Sequence, residues 1–321
     1  MHIQLKNQNF SLWCDFIERD FLQTDFKTLI KEGKIYGATS NPSIFANALK
    51  TSQAYKAQIA SLQHKSAKEI YETIALEDIK TAAQILRPLW DQDKNDGYIS
   101  IEIDPLFCDD AQESIKEGKR LFATLNEPNV MIKVPATNAG YETMEELLKC
   151  DIPINATLVF APLQAQKCLQ AFKHARDGGS QAKSVISVFV SRLDRALDSQ
   201  LPPALTHQLG IQNAKNIYQQ IQDFGDCHTR TLFASTGVKG GGLKPSYYID
   251  ELLLPNSINT APLETIQAYC SNPDTQIKTS SNTMDQFGSY DLQSLYERLL
   301  QEGLEAFKTS FKELLSSLKS Q

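Results

Sequence analysis

The chain has 321 residues, 41% hydrophobic and 22% charged, with 32 basic against 38 acidic side chains and a formal net charge of −6. That length fits one large α/β barrel with insertions or about two smaller domains, and the composition is globular, not disordered. The acidic balance argues against a basic nucleic-acid-binding stripe, and no apolar run approaches the ~18–20 residues of a membrane span.

The opening MHIQLKNQNF has no basic segment followed by an apolar one, so a secretion signal is not expected. Six cysteines without a CxxC pair and five histidines without an HExxH read as reduced residues of a cytoplasmic protein. Neither a metal site nor a cofactor is expected from them.

In chain order, short β-branched runs predict strands at Ser11–Phe16, Ile35–Thr39, Tyr98–Asp104, Val130–Pro135, Ile154–Phe160, Ser184–Val190, Thr231–Ser235 and Tyr247–Glu251. Several are almost continuously apolar (VMIKV, VISVFV, TLFAS), as parallel strands buried on both faces require. Between them, helical periodicity covers Ala111–Leu125, Tyr141–Leu148, Leu163–Arg176, Arg192–Asp198 and His207–Phe224. Asp110 stands as an N-cap with Glu113 three residues on, and Gly178–Gly179 and Gly225 are stop signals. Eight strands alternating with helices predict a closed (β/α)8 TIM barrel. An open doubly wound sheet is the competitor, and no GxGxxG follows any strand.

Residues 42–97 are too long for one connecting helix and read as a helical insertion after strand 2. Residues 284–321 form a C-terminal helical segment, in which Leu304, Phe307, Phe311, Leu314 and Leu318 recur at 3,4,3,4 spacing. That stripe packs on the barrel exterior or also covers the mouth. No interdomain linker is visible, so residues 1–321 read as one barrel domain.

Lys133 lies inside the apolar strand Val130-Met131-Ile132-Lys133-Val134-Pro135. A lysine there is a snorkelling strand end, a structural ion pair, or a functional amine. The functional reading rests on desolvation, which disfavours the ammonium form of a buried amine and so favours the nucleophile that attacks a carbonyl. Such chemistry needs proton carriers, and two carboxylates stand at strand ends: Asp15 in LWCD and Glu102 in ISIEID. Asn41 follows the second strand in TSNPS, which is a capped Asn-Pro turn or a ligand contact. Asn155 and Thr157 alternate to one face of the fifth strand. Ser187, Phe189 and Arg192 lie in or just after the sixth, Arg192 being a surface arginine or a phosphate clamp. After the seventh, Ser235-Thr236-Gly237-Val238-Lys239-Gly240-Gly241-Gly242 is a Gly-rich loop suited to a phosphate nest, without a Walker A pattern.

These segments together resemble the transaldolase family. Gly37-Ala38-Thr39-Ser40-Asn41-Pro42-Ser43-Ile44 is similar to its N-terminal signature, and Met131-Ile132-Lys133-Val134-Pro135-Ala136-Thr137 with Gly140 to its lysine signature. Glu102 in SIEID, Asn155 and Thr157 in INATLVF, and Ser187 to Arg192 in ISVFVSR match in order and type, over roughly residues 9–250. The long stretch after strand 2 and the ASTGVK segment resemble the larger branch of the family.

The resemblance implies transfer of a dihydroxyacetone unit: sedoheptulose 7-phosphate + glyceraldehyde 3-phosphate ⇌ erythrose 4-phosphate + fructose 6-phosphate, in the pentose phosphate pathway. It implies a Schiff base on Lys133, Asp15 as the base for C–C cleavage, and Glu102 with a water held by Thr157 as proton shuttle. Asn41, Asn155 and Ser187 would hold the dihydroxyacetone hydroxyls, and Phe189 would supply an apolar wall. Arg192 and Ser235 would bind phosphate.

Many relatives carry an arginine two residues beyond the serine after strand 7, where this chain has Gly237. The second cation is then Lys239 or Arg230. Lys239 is preferred, because Arg230 precedes the seventh strand and should lie at the opposite rim. The expected partners are sugar phosphates only, with no nucleic acid and no membrane, for a monomer or homodimer. A fructose-6-phosphate aldolase using the same lysine, a non-catalytic sugar-phosphate-binding barrel and a metal-dependent barrel enzyme are the alternatives.

Overall fold

Eight parallel strands pair in chain order, and the eighth closes back on the first, in a computed structural model that describes residues 5, 7–240 and 242–319. Gly241 of the Gly-rich loop and residues 1–4, 6 and 320–321 of the expected domain lie outside the described residues. The strands are β1 (Ser11–Cys14), β2 (Gly37–Thr39), β3 (Ile99–Glu102), β4 (Val130–Pro135), β5 (Ile154–Val159), β6 (Ser184–Phe189), β7 (Thr229–Ala234) and β8 (Ser257–Ala261).

Helices alternate with them. Between β1 and β2 lie α1 (Arg19–Gln23) and α2 (Asp25–Lys31). After β2 come α3 (Pro42–Thr51), α4 (Lys56–Ser61) and α5 (Ala67–Gln92), which fill the long stretch before β3. Next are α6 (Ala111–Leu125), α7 (Asn138–Leu148), α8 (Pro162–Asp177), α9 (Ser191–Leu197) and α10 (Leu209–Phe224). The chain ends with α11 (Tyr247–Glu251), α12 (Leu263–Ser271) and α13 (Leu292–Lys319). The Asp110 side chain accepts from the Glu113 N–H at the start of α6, as their spacing predicts.

Alternation along each strand divides the core in two. Leu12, Ile101, Ile132, Ala156, Ile186 and Phe233 point outward into a layer shared with the helices. Trp13, Met131, Val185, Leu232 and Ile258 belong to a second cluster that fills the barrel. Arg230 plugs its N-terminal end, donating to the carbonyls of Asn9, Asn95 and Ser257 and to Ser11 Oγ, with Asp96 3.4 Å away.

One predicted strand is corrected. Tyr247–Glu251 is the short helix α11, and the eighth strand is Ser257–Ala261. The Tyr-Tyr-Ile run looks extended by composition, but Ser246 Oγ donates to Asp250 one helical turn on, and Tyr248 Oη donates to Asp194 on α9. The sequence Ser-Ile-Asn-Thr-Ala hides a strand because its polar groups are satisfied inside the barrel: the Ser257 carbonyl by Arg230, Asn259 by Thr236 and Thr260 by Thr39.

Helix α13 crosses the mouth at the C-terminal ends of the strands. Tyr296 Oη donates to Asn213, Ser310 bonds Ser43, and the Phe311 ring meets Tyr71 edge-on at 5.3 Å. Gly303 allows the closest approach: a Cβ there would stand 2.9 Å from the Leu158 side chain and 3.5 Å from the Arg192 guanidinium. The amphipathic stripe therefore covers the mouth as well as packing on helices α3 and α5.

Candidate active site

The register of β3, β4 and β5 aligns Glu102, Lys133 and Asn155 as direct neighbours across three strands. All three point inward, so the spacing between strands, about 4.8 Å, brings their side chains together. Lys133 is only 5% exposed. Its Nζ donates to the Ser40 carbonyl at 3.1 Å and lies 3.6 Å from Glu102 Oε2, an ion-pair distance rather than a hydrogen bond. Gly140 belongs to this arrangement: a Cβ there would meet the Pro135 carbonyl at 1.9 Å, so α7 can begin directly against the end of the lysine strand only with glycine.

Glu102 Oε2 and Thr157 Oγ1 are buried without a protein hydrogen-bond partner. Burial pushes the Glu102 carboxyl up to about 7, against the opposing pull of the Lys133 charge and with a further push from Asp15. Burial likewise raises Asp15, while Lys133 and the hydrogen bond from Thr39 work in the other direction. Two carboxyls and an amine thus stand within one site, with burial raising both carboxyls.

Asp15 directly follows β1 and accepts from Thr39 Oγ1 at 2.6 Å, and Thr39 is 2.7 Å from Thr260 Oγ1. Ser187 Oγ donates to Asn155 Oδ1 at 2.6 Å, and Asn155 Nδ2 donates to Ser100 Oγ, which leaves Asn155 one amide hydrogen. Asn41 Oδ1 caps α3 through the Ile44 N–H, so the capped-turn reading is correct, yet Asn41 also borders the cavity. That cavity, about 210 Å³, is lined by Asp15, Asn41, Lys133, Ser187 and Phe189, with Arg192, Ser235 and Lys239 at one side. Glu102, Asn155 and Thr157 are not part of this lining; Glu102 contacts it through Lys133 and Asn155 through Ser187.

The cationic side of the cavity begins at α9. Arg192 stacks over Phe189 at 5.2 Å, and burial together with the nearby Arg195 charge lowers its pKa. Ser235, in the left-handed region at φ 57°, bonds Ser191 through its hydroxyl and its carbonyl. Lys239 is exposed at the rim, and Arg230 is absent from it, being the plug at the far end.

The model of the family described as transaldolase/fructose-6-phosphate aldolase matches residues 12–318. The chain belongs to that family. It is 52% identical to a protein named "Transaldolase" from Helicobacter pylori strain 26695, over 97% of this chain and 99% of the other. It is 43% identical to a protein of the same name from Campylobacter jejuni strain 81116, over 97% and 100%.

Of the cavity-lining residues of this family member that are not among the predicted site residues, Thr39, Thr260, Arg195 and Phe307 bear most on its chemistry. Thr39 was visible only as part of a turn motif. Thr260 was lost with the misplaced eighth strand. Arg195 lies three residues after Arg192, at the spacing of one helical face, and could have been found by that periodicity. Phe307 belongs to the stripe expected to pack on the exterior or also to cover the mouth, without being named as a site residue; its ring centroid is 5.8 Å from Lys133 Nζ.

Proposed function

We infer that the chain is a transaldolase that carries a dihydroxyacetone unit between aldoses as a Schiff base on Lys133. The observation that carries this reading is a buried lysine, ion-paired with a carboxyl titrating near 7, facing a cavity with Asp15 and a cationic rim.

The Lys133 amine attacks the ketose C2 carbonyl. Glu102 protonates the carbinolamine hydroxyl, which leaves as water, and later removes a proton from the water that hydrolyses the imine. Its unpartnered oxygen and that of Thr157 are suited to hold this water between them. Asp15, oriented by Thr39, takes the C4 hydroxyl proton as the C3–C4 bond breaks. The bond electrons flow into the iminium and leave an enamine on Lys133. An incoming aldehyde reverses the steps.

Asn41, Ser187 and the free amide hydrogen of Asn155 hold the hydroxyls of the three-carbon unit. Arg192, Lys239, the Ser235 loop and Arg195 receive the phosphate. Arg195 and Lys239 together stand in for the arginine that Gly237 replaces. The substrates are those of sedoheptulose 7-phosphate and fructose 6-phosphate interconversion. The six thiols, all free, suit a cytoplasmic protein.

Borohydride reduction in the presence of fructose 6-phosphate, followed by peptide mapping, is expected to mark Lys133. A mark on another lysine refutes the assignment. Phe189, an apolar wall where an aldolase could use a phenolic acid, favours transfer over simple cleavage. Erythrose 4-phosphate should therefore stimulate turnover of fructose 6-phosphate strongly.

A further inference from the structure

We propose that Phe307, on the last helix, decides whether the three-carbon unit held on Lys133 is passed to an aldehyde or lost to water; this rests on the Schiff-base reading above.

The enamine left after C–C cleavage has two fates. In transfer, its nucleophilic carbon attacks an aldehyde carbon and the aldehyde oxygen takes a proton. In hydrolysis, the same carbon takes a proton, water adds to C2, and the C2–N bond breaks, leaving the Lys133 amine and free dihydroxyacetone. Bulk water far outnumbers any aldehyde, so a transferase must keep bulk water, as distinct from the one water used by Glu102 for imine hydrolysis, from reaching the enamine carbon before the acceptor does.

Helix α13 supplies such a barrier. Gly303, Phe307 and Phe311 are spaced at i, i+4 on one face. Gly303 is seated against Leu158 and Arg192, and Phe311 against Tyr71. Phe307, between these two fixed points, is buried and lines the cavity with its ring 5.8 Å from Lys133 Nζ. Most of the other lining groups near Lys133 are hydrogen-bonding side chains: Asp15, Thr39, Asn41, Ser187 and Thr260. A benzene ring there offers a water molecule no strong partner. The cationic side, with Arg192, Arg195 and Lys239, remains for entry of a phosphorylated aldehyde. Nothing in this role requires Phe307 to touch a reacting atom; it is a specificity-determining residue that acts by exclusion.

The test compares wild type, Phe307→Ala, Phe307→Leu and Leu300→Ala, the last on the same helix but facing an outer groove. With fructose 6-phosphate as donor, release of free dihydroxyacetone is measured without acceptor, and transfer is measured with erythrose 4-phosphate. The hydrolysis-to-transfer ratio is expected to rise about tenfold in Phe307→Ala and about threefold in Phe307→Leu, and to stay at the wild-type value in Leu300→Ala. The leucine variant keeps an apolar core side chain and so carries the test if the alanine variant does not fold. Equal loss of both rates with an unchanged ratio overturns the proposal, as does an equal rise in Leu300→Ala, which would make leakage a property of helix docking. Borohydride trapping on wild type is run alongside. Absence of a Lys133 adduct overturns the Schiff-base reading and this proposal together, whereas a normal adduct with an unchanged ratio overturns this proposal alone.

Discussion

Replacing Lys133 by Met should do two separable things. The first is loss of turnover and of borohydride trapping, because Met fills the strand position without an amine. The second concerns stability. Burial raises Glu102 from its ordinary 4.5 to about 7 even though the Lys133 charge opposes the shift. A carboxyl raised in the folded state contributes stability that is full below 4.5 and is lost as pH rises to its folded value, after which the curve is flat. Removing the ammonium 3.6 Å away pushes Glu102 further up, so in Lys133→Met the loss continues above pH 7. One proton taken up by the folded state corresponds to a slope of about 1.4 kcal/mol per pH unit. Urea unfolding at half-unit steps from pH 6 to 9 reads that slope. The double variant Lys133→Met/Glu102→Gln isolates it, since Gln cannot titrate. Parallel curves for the single and double variants above pH 7 would refute an electrostatic pair at the centre of the site.

Asp15→Ala should still form the imine but stall at C–C cleavage, so intact mass after reduction should show mainly a six-carbon adduct; a dominant three-carbon adduct would sink that role. Arg192→Ala should raise KM for phosphorylated substrates by about 10–150-fold, the equivalent of about 1.5–3 kcal/mol for a lost charged hydrogen bond. Lys239→Ala and Arg195→Ala, on exposed side chains, should have smaller phosphate-selective effects that weaken with salt. Equal KM defects for unphosphorylated glyceraldehyde would contradict a phosphate role. Arg230→Ala should cost about 3–5 kcal/mol of stability by removing the cation beside Asp96 and the donor to three carbonyls in the barrel floor, with KM unchanged where the variant is folded. A large KM defect in a stable Arg230 variant would contradict its location.

The strands that carry the reacting groups were the easiest to read. β4 begins and ends where predicted, because Val130–Pro135 is apolar throughout except for Lys133, and that exception drew attention to the lysine. Alternation then separated Asn155 and Thr157 from their outward neighbours. β8 was hidden for the opposite reason: Ser257, Asn259 and Thr260 are paired with Arg230, Thr236 and Thr39, a reason for polarity that exists only in the closed barrel. Phe307 illustrates a second limit. A phenylalanine in an apolar stripe is ordinary locally, and only the path of α13 across the mouth brings it to the cavity, whereas Arg195 was within reach of its helical spacing to Arg192.

The alignment of Glu102, Lys133 and Asn155 on adjacent hydrogen-bonded strands has an evolutionary consequence. Their mutual distances are held by the backbone ladder of the sheet, which tolerates little drift, whereas Arg192, Arg195, Ser235 and Lys239 sit on a helix start and a loop that can be rebuilt. On the proposed roles, substrate range can therefore diverge among descendants of this scaffold by exchanging the β6 and β7 connections, while the proposed bond-making centre is inherited intact.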